Sequence, residues 1–272
     1  MSHPHTLRNH SAAPRIISIA NQKGGVGKTT TAINLATALA AVGKRVLLVD
    51  LDPQGNASTG LGVRRSMIRK SSYDLIFEDF APQDIAVKTR VPNLDVVPSS
   101  IHLSGAEIEL VNAESREYLL SRSLRRSANY DYVILDCPPS LSLLTLNALV
   151  ASNSVLVPLQ CEFYALEGLS QLVKTIERVQ RGLNPELDIH GVVLTMYDKR
   201  NNLSAMVEND VREYFGEKVY KTIIPRNVRL SEAPSFGLPA IVYDMKCAGA
   251  KAYLSLAKEV IRREKKYLSE AA

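Results

Sequence analysis

The chain has 272 residues, of which 46% are hydrophobic and 22% are charged, and its net charge is +5. A chain of this length and composition can bury a sizeable core, and no apolar run approaches the about 20 residues that a membrane-spanning helix needs. The three cysteines lie far apart and form no C-x-x-C pair, so we expect buried or partly buried thiols rather than disulfides or a metal site.

The first segment, Met1–Pro14, is polar and has no apolar signal core. We interpret residues 1–14 as a disordered leader and expect a cytoplasmic protein. The remainder, residues 15–272, shows no linker, repeat or low-complexity stretch, so we expect a single domain there.

Five short runs are apolar throughout and rich in β-branched residues, which is typical of strands covered on both faces of a parallel sheet. They are Arg15–Ala20, Arg45–Asp50, Tyr132–Asp136, Ser154–Leu159 and Gly191–Met196. A further strand is predicted near Leu94–Val97, within a region of short helices broken by turns that extends from Gly60 to Ser127.

Helical periodicity fills the segments between these runs. The predicted helices are Thr29–Ala41, with Gly43 at its C-terminal cap, Leu166–Gln180, Leu203–Phe215 and Ala250–Ile261. Alternation of strands and helices predicts an α/β fold, with a doubly wound, mostly parallel sheet flanked by helices. Ligands of such sheets bind at the carboxyl ends of the strands.

A glycine-rich segment follows the first strand and opens the first helix, which is the context of a phosphate-binding P-loop. Its glycines let backbone amides surround phosphate oxygens, and the helix N-terminus adds partial positive charge. Lys28 can reach the β- and γ-phosphates of ATP, and the Thr29 hydroxyl can coordinate Mg²⁺. The predicted nucleotide-binding residues here are Gly24, Gly25, Val26, Gly27, Lys28, Thr29 and Thr30.

The loop departs from the usual pattern, because Gln22 stands where a glycine is expected and Lys23 follows it. The stretch Lys23–Thr30, K-G-G-V-G-K-T-T, resembles the deviant Walker A motif of the ParA/MinD ATPase family. The resemblance implies that Lys23 reaches across a dimer interface to the partner's nucleotide, where a second cation offsets charge that builds up at the γ-phosphate.

Carboxylates end two of the predicted strands. Asp52 precedes Pro53, which favours an extended backbone, and by resemblance to the family's D-x-D-P-Q motif it orients the attacking water. Asp50 is the second candidate and would support Mg²⁺ waters, while a turn-capping role is the alternative for both. Asp136 closes an apolar strand in a Walker B pattern and is expected to support Mg²⁺ through a water.

The adenine pocket is expected late in the chain. Pro225, Arg226 and Asn227 follow a predicted strand at Lys221–Ile224, and the resemblance implies that they pack on the base. An ordinary Pro- and Asn-containing turn is the alternative.

All of the excess positive charge lies in the last quarter, where residues 199–272 hold 14 Lys and Arg against nine Asp and Glu. Further stretches, including Gln160–Gly168 and Ile224–Pro234, are similar to the chromosomal ParA/Soj branch. That branch segregates DNA as ATP-bound homodimers that bind double-stranded DNA without sequence preference, and ParB-type centromere-binding proteins stimulate hydrolysis. The candidate DNA contacts are Lys199, Arg200, Lys221, Arg229, Lys246 and Lys251, against the alternative of ordinary solvated surface.

Four other functions were weighed. A membrane-cycling, MinD-like division ATPase needs an apolar and basic C-terminal helix, but the tail has few bulky apolar residues. An iron–sulfur ATPase needs paired cysteines, and a tyrosine kinase of this superfamily needs a C-terminal tyrosine cluster. The cysteines of this sequence are not paired, and only Tyr267 lies in its last dozen residues. A DNA-binding module that scarcely turns over is disfavoured by the presence of Asp52.

Overall fold

The computed structural model describes residues 13–162 and 165–270. The leader predicted for residues 1–14 therefore lies almost entirely outside the described residues. Within them, seven strands form one sheet in the order β3-β4-β2-β5-β1-β6-β7. The strands are β1 (Arg15–Ile19), β2 (Val46–Asp50), β3 (Val87–Lys88), β4 (Leu94–Val97), β5 (Tyr132–Asp136), β6 (Ser154–Gln160) and β7 (Asp188–Thr195).

All strand pairs are parallel except the edge pair of β3 and β4. The carboxyl ends of the parallel strands therefore meet along one edge of the sheet, as the sequence predicted for the ligand site. The mostly parallel, doubly wound arrangement expected from strand–helix alternation is confirmed.

Helices cover both faces of the sheet. They are α1 (Lys28–Ala41), α2 (Asn56–Gly60), α3 (Ser72–Phe77), α4 (Pro82–Ile85), α5 (Leu103–Asn112), α6 (Leu119–Leu124), α7 (Leu143–Ala151), α8 (Ala165–Gly182), α9 (Asn202–Phe215), α10 (Val228–Glu232), α11 (Ala240–Tyr243) and α12 (Ala248–Glu270). Short 3-10 turns occur at Arg65–Met67, Gly216–Lys218 and Ala233–Phe236.

Two apolar cores, one on each face of the sheet, hold the layers together. On one face, α1 presents small side chains to α12, and the Thr31 hydroxyl lies 3.1 Å from the Tyr253 hydroxyl, so this buried polar pair is satisfied. Helix α1 ends as predicted, with Gly43 in the left-handed region at φ 83°. The P-loop at the start of α1 is therefore fixed to a well-packed helix.

The strand predicted at Lys221–Ile224 is wrong. The segment runs beside β7, and the Ile224 amide donates to Leu194 O at 2.8 Å, but the pairings on either side are isolated bridges, of Val219 with Val192 and of Pro225 with Tyr197. The carboxylate of Glu259 accepts the backbone N–H groups of Lys221 and Thr222, at 2.9 and 3.0 Å. A regular ladder cannot run through residues whose amides are bound elsewhere, and Pro225 has no amide to donate.

Gly191 in β7 lies where no larger residue fits. A Cβ atom there would stand 2.6 Å from Lys218 O and 2.7 Å from Nη1 of Arg263, a residue of α12. We expect Gly191→Ala to lower the free energy of unfolding by about 1–3 kcal/mol, because overpacking forces side chains and backbone apart. Urea unfolding would measure the change.

Gly168→Ala in α8 is the matched control, since a Cβ at Gly168 meets nothing within 4 Å. It should leave the protein at least as stable as wild type, because alanine is the better helix former. Equal stability of the Gly191→Ala and wild-type proteins would contradict the close packing of β7 against α12.

Candidate nucleotide site

The loop between β1 and α1 has the backbone that a phosphate cradle requires. Gly25 and Gly27 have φ values of 76° and 87°, in the left-handed region that side chains disfavour, and Gly27 is the N-terminal cap residue of α1. The Thr195 hydroxyl at the end of β7 donates to Val26 O at 2.8 Å, which fixes the loop to the sheet. The amides at the start of α1 are thus available to an anion.

Lys28 lies inside this loop rather than on the surface. Its side chain is buried, and Nζ donates a hydrogen bond to Lys23 O at 2.9 Å. Burial lowers the pKa of Lys28, and the carboxylate of Asp136 opposes that effect. The ammonium group is therefore held beside the loop, where an anionic ligand would stabilise its charge.

Asp136 ends β5 at the same level of the sheet as Asp50 on β2 and Ile19 on β1. It is fully buried, and among the described residues no hydrogen bond of ordinary length reaches its carboxylate oxygens, although the Thr29 hydroxyl lies close enough to lower its pKa. Burial, and next the charge of Asp50, raise its pKa well above the ordinary value, while Thr29 and Lys28 act in the opposite direction. A buried carboxylate beside a threonine hydroxyl is the donor set that hydrated Mg²⁺ uses.

Asp50 is buried as completely as Asp136 but its oxygens are occupied. Oδ2 accepts the Ser58 hydroxyl at 2.6 Å and the Ser58 amide at 2.8 Å, and Oδ1 accepts the Asp52 amide at 3.2 Å. Burial raises the pKa of Asp50 to about 6 despite these hydrogen bonds. Through these hydrogen bonds, Asp50 at the end of β2 fixes the position of α2 and of the loop that carries Asp52.

Asp52 lies at the surface of this cluster, with 9% of its area exposed. Its Oδ1 accepts the Gln54 amide at 2.9 Å, and among the described residues its Oδ2 accepts no hydrogen bond. The structure therefore brings together Lys28, Thr29, Asp50, Asp52 and Asp136 at one edge of the sheet, as the sequence predicted from the strand ends.

Lys23 contacts one residue of its own loop and one residue that follows β6. Its amide donates to Asn21 Oδ1 at 3.0 Å, and its Nζ forms an ion pair with Glu162, which follows β6. The side chain is 36% exposed. Lys23 thus differs from the buried Lys28: its ammonium is at the accessible side of the loop.

The segment expected to pack on adenine forms a turn beside β7. Pro225 bridges to Tyr197, and the Arg226 amide donates to Tyr197 O at 3.0 Å. Asn227 caps α10 by accepting the Arg229 amide at 3.0 Å. A cavity of about 450 Å³ lies beside this turn and is lined by Arg226 together with Glu162. An adenine-binding role for the segment stays a prediction.

The six candidate DNA contacts are all exposed: Lys199, Arg200, Lys221, Arg229, Lys246 and Lys251. Arg200 binds Asp198 through two hydrogen bonds of 3.0 and 2.8 Å, and Arg229 binds Glu232 at 2.8 Å. Ion pairs at such exposed positions are weak in water. Both guanidinium groups can therefore exchange a carboxylate for a phosphate.

Sequence reasoning missed four residues that shape the site: Asn21, Ser58, Glu162 and Thr195. Glu162 follows β6 and Thr195 closes β7, so both lie at the edge of the sheet where ligands bind. Their position relative to the predicted strands could therefore have identified them. Ser58 carried no such signal, because its bonds to Asp50 depend on how α2 folds back onto β2.

The thiols behave as expected from their spacing. Cys137 and Cys161 are buried and Cys247 is partly buried, and burial raises the pKa of Cys137 to about 12. Within the ranges that the structure describes, no three His, Cys, Asp or Glu side chains form a metal-binding group. None of the helices in those ranges is both long and apolar enough to cross a membrane.

A family model described as an AAA domain matches residues 14–189. The chain is 60% identical over 266 residues to the chromosome partitioning protein ParA of Caulobacter vibrioides, covering 96% of this chain and 100% of that one. It is also 60% identical over 247 residues to the sporulation initiation inhibitor protein Soj of Bacillus subtilis, covering 90% and 98%.

Among solved structures, a cobyrinic acid a,c-diamide synthase from Mycobacterium smegmatis with bound ADP and magnesium has a TM-score of 0.81 and 39% identity. The match covers 93% of this chain and 96% of that chain. The same neighbour was also crystallised with an ATP analogue and magnesium.

Proposed function

Because this chain belongs to the ParA/Soj family of chromosome-partitioning ATPases, and so hydrolyses ATP with Mg²⁺, we propose a nucleotide-gated DNA-binding cycle. The ATP-bound form is a face-to-face homodimer that binds double-stranded DNA non-specifically and associates with the nucleoid. A ParB-type centromere-binding protein stimulates hydrolysis and releases the dimer. The exposed Lys23, held at the accessible side of the loop while Lys28 is buried within it, carries this proposal.

The roles at the site follow from position and chemistry. Gly24–Thr30 bind the phosphates of ATP, and Lys28 neutralises them from within the loop. Thr29 and Asp136 hold Mg²⁺, which supplies positive charge at the phosphates, while Asp50 supports the site from β2. Asp52 orients the attacking water, and Pro225–Asn227 pack on adenine. The synthase neighbour binds ADP, an ATP analogue and magnesium, which supports these ligands here, while the higher identity to the partitioning proteins favours their function over that of a synthase.

Dimer closure would couple this site to DNA. When two subunits close on their nucleotides, each Lys23 leaves Glu162 and reaches the other subunit's phosphates. Closure also brings two basic surfaces together, which raises DNA affinity through doubled phosphate contacts. Hydrolysis removes the γ-phosphate that held the two subunits, so the dimer opens and DNA is released.

We expect Lys23→Ala to separate nucleotide binding from dimerisation. The affinity of the monomer for ATP should change by less than about 3-fold, since Lys23 contacts its own loop only through backbone atoms. The dimer formed with a non-hydrolysable ATP analogue should weaken about 10-fold or more, equivalent to about 1.4 kcal/mol. Fluorescent-nucleotide titration and light scattering would measure the two effects.

Lys44→Ala, which removes a lysine outside the site, is the control and should behave as wild type. If Lys23→Ala lost ATP affinity in the monomer, Lys23 would act on its own nucleotide, and the proposed contact across the dimer would be wrong.

Magnesium-dependent binding should weaken in acid. Burial raises the pKa of Asp50 to about 6, and burial together with the charge of Asp50 raises the pKa of Asp136 well above its ordinary value. A raised pKa makes each carboxyl easier to protonate as the pH falls, whereas Mg²⁺ favours the ionised forms. We expect the Kd for Mg·ADP to rise about 10-fold between pH 7.5 and 5.5.

The phosphates of ADP titrate in the same range, so calorimetry should compare wild type with Asp136→Asn. The variant should bind more weakly at pH 7.5 and show a flatter dependence on pH. Parallel pH profiles of the two proteins would contradict a role for the Asp136 carboxylate in holding magnesium.

A membrane-cycling, MinD-like ATPase remains the alternative function. It needs an exposed apolar helix face, whereas in the part of α12 whose side chains are described Tyr253, Leu256 and Val260 are buried against the core. Pelleting with anionic liposomes in the presence of ATP would discriminate: association with lipid and not with DNA would replace our proposal.

The direct test measures DNA retention by the wild-type protein with Mg·ATP, with Mg·ADP and without nucleotide. We expect retention only with Mg·ATP and a steep decline as salt is raised, since the contacts are to phosphates. Equal binding in all three conditions, by a protein that stays monomeric, would refute nucleotide gating.

A further inference from the structure

The outer side of α5 is unusually apolar for an exposed helix. Ile101, Ile108 and Val111 have 72%, 74% and 56% of their areas exposed. Leu103 and Leu110, on the opposite side of the helix, are fully buried in the core. Ile108 and Val111 are three residues apart and share one face of α5, whereas Ile101 lies in the turn that precedes the helix. We call the surface formed by Ile101, Ile108, Val111 and the exposed polar residues between them the α5 outer face.

Carboxylates border the α5 outer face on both sides. Glu107 and Glu109 flank Ile108 along the helix, and Glu114 follows its C-terminal end; all three are exposed. No Lys or Arg occurs from Ile101 to Ser115, although the chain carries a net charge of +5. An apolar stripe edged by acidic groups is complementary to a segment that presents apolar side chains together with Lys or Arg.

A groove of about 840 Å³ runs beside the start of α5 and extends to the residues that directly follow Asp52. Its α5 wall includes Ile101 and Glu109, and its inner end includes Gln54 and Gly55, which follow the proposed catalytic Asp52. The cationic residues Arg65, Arg69 and Lys70 also line this groove, so a basic segment finds favourable contacts only on the α5 side.

Hydrogen bonds connect the start of α5 to the loop of Asp52. The Ser99 amide donates to the Ser58 hydroxyl at 3.0 Å, and that hydroxyl donates to Asp50 Oδ2 at 2.6 Å. Asp50 Oδ1 in turn accepts the Asp52 amide at 3.2 Å. The Ser72 hydroxyl adds a second connection, to Asp50 O at 2.6 Å. A displacement of the segment before α5 therefore reaches the Asp52 backbone through the Ser99 amide and two side chains, those of Ser58 and Asp50.

We propose that the α5 outer face docks a positively charged amphipathic segment of the protein that stimulates hydrolysis. Docking repositions Asp52 through Ser99, Ser58 and Asp50. This inference rests on the proposed function, because it assigns a surface to the stimulating partner. It does not alter how nucleotide, dimer and DNA are coupled.

The test compares Ile108→Lys with Tyr214→Lys, a matched exposed helical position in α9 with 71% of its area exposed. ATP hydrolysis is followed over a titration of the ParB-type protein from the same genome, on its centromere DNA. We expect both variants to keep the basal rate. Ile108→Lys should need at least 10-fold more partner for half-maximal stimulation, while Tyr214→Lys should match wild type.

A second variant, Glu107→Lys, tests the role of charge. Its stimulation by the partner should be weaker than that of wild type at low salt, and the difference should shrink as salt is raised, because exposed charges are screened. Stimulation of Ile108→Lys at the wild-type partner concentration would overturn the inference and leave the proposed function intact. A loss of the ATP-bound dimer in Ile108→Lys, seen by light scattering, would assign the face to a second copy and also overturn it. If wild type itself is not stimulated, the partner step of the proposed function fails, and this inference with it.

Discussion

Replacing Lys28 with alanine is expected to abolish useful ATP binding. The Lys28 ammonium is buried within the phosphate loop and bonds to Lys23 O at 2.9 Å. A buried cation lowers the energy of an adjacent triphosphate far more than an exposed one, because little water screens the pair. Truncating such a partner costs about 3 kcal/mol or more, which corresponds to at least about a 100-fold loss of affinity.

The loss should extend to the metal site. Lys28 partly offsets the burial that raises the pKa of Asp136. Without that cation the Asp136 carboxyl takes up a proton at higher pH still, and its hold on magnesium weakens. Calorimetric titration with Mg·ATP would measure the effect, with circular dichroism to confirm that the variant folds.

Lys174→Ala, at an exposed position of α8, is the control and should bind as wild type does. Retention of wild-type affinity by Lys28→Ala would mean that the glycine-rich loop is not the phosphate site, and the proposed mechanism would lose its first step.

The sequence predicted the main strands and the phosphate loop because both depend on local patterns. Continuous β-branched runs such as Tyr132–Asp136 need cover on both faces, and a parallel sheet is the arrangement that supplies it. Once the strands are parallel, their carboxyl ends must share one edge. The proximity of Asp50, Asp136 and Lys28 therefore followed from strand ends without knowledge of any contact.

Contacts between distant segments were not accessible in this way. The ion pair of Lys23 and Glu162 joins residues 139 positions apart, and no local pattern marks either as the partner of the other. The strand predicted at Lys221–Ile224 failed for the same reason. Its apolar pattern is that of a strand, but Glu259 in α12 takes the amides that a ladder would use.

Asp50 shows how burial changes the interpretation of a residue. From the sequence it was a candidate to support magnesium waters, with a turn-capping role as the alternative. The structure gives both of its oxygens hydrogen bonds from the protein, whereas among the described residues no hydrogen bond of ordinary length reaches those of Asp136. Two aspartates at equivalent strand ends thus have different capacities for a cation, and only their surroundings distinguish them.

Asp52→Ala is expected to stop hydrolysis while leaving ATP bound. The Asp52 side chain is joined to its own loop only through Oδ1, so its removal should spare the phosphate contacts of Lys28. Loss of the group that orients water should lower the hydrolysis rate by about 100- to 10,000-fold. Phosphate release would measure it, with Asp210→Ala at an exposed position of α9 as the control.

The same variant should remain on DNA, because an ATP dimer that cannot hydrolyse cannot open. Across a salt series, Asp52→Ala with Mg·ATP should show the steep decline of phosphate contacts, whereas Mg·ADP should support little binding at any salt. Adding Lys23→Ala to Asp52→Ala should abolish retention without restoring hydrolysis, since the two subunits then lack the contact that closes them. Normal hydrolysis by Asp52→Ala would remove Asp52 from the mechanism, and retention by the double variant would separate DNA binding from the dimer.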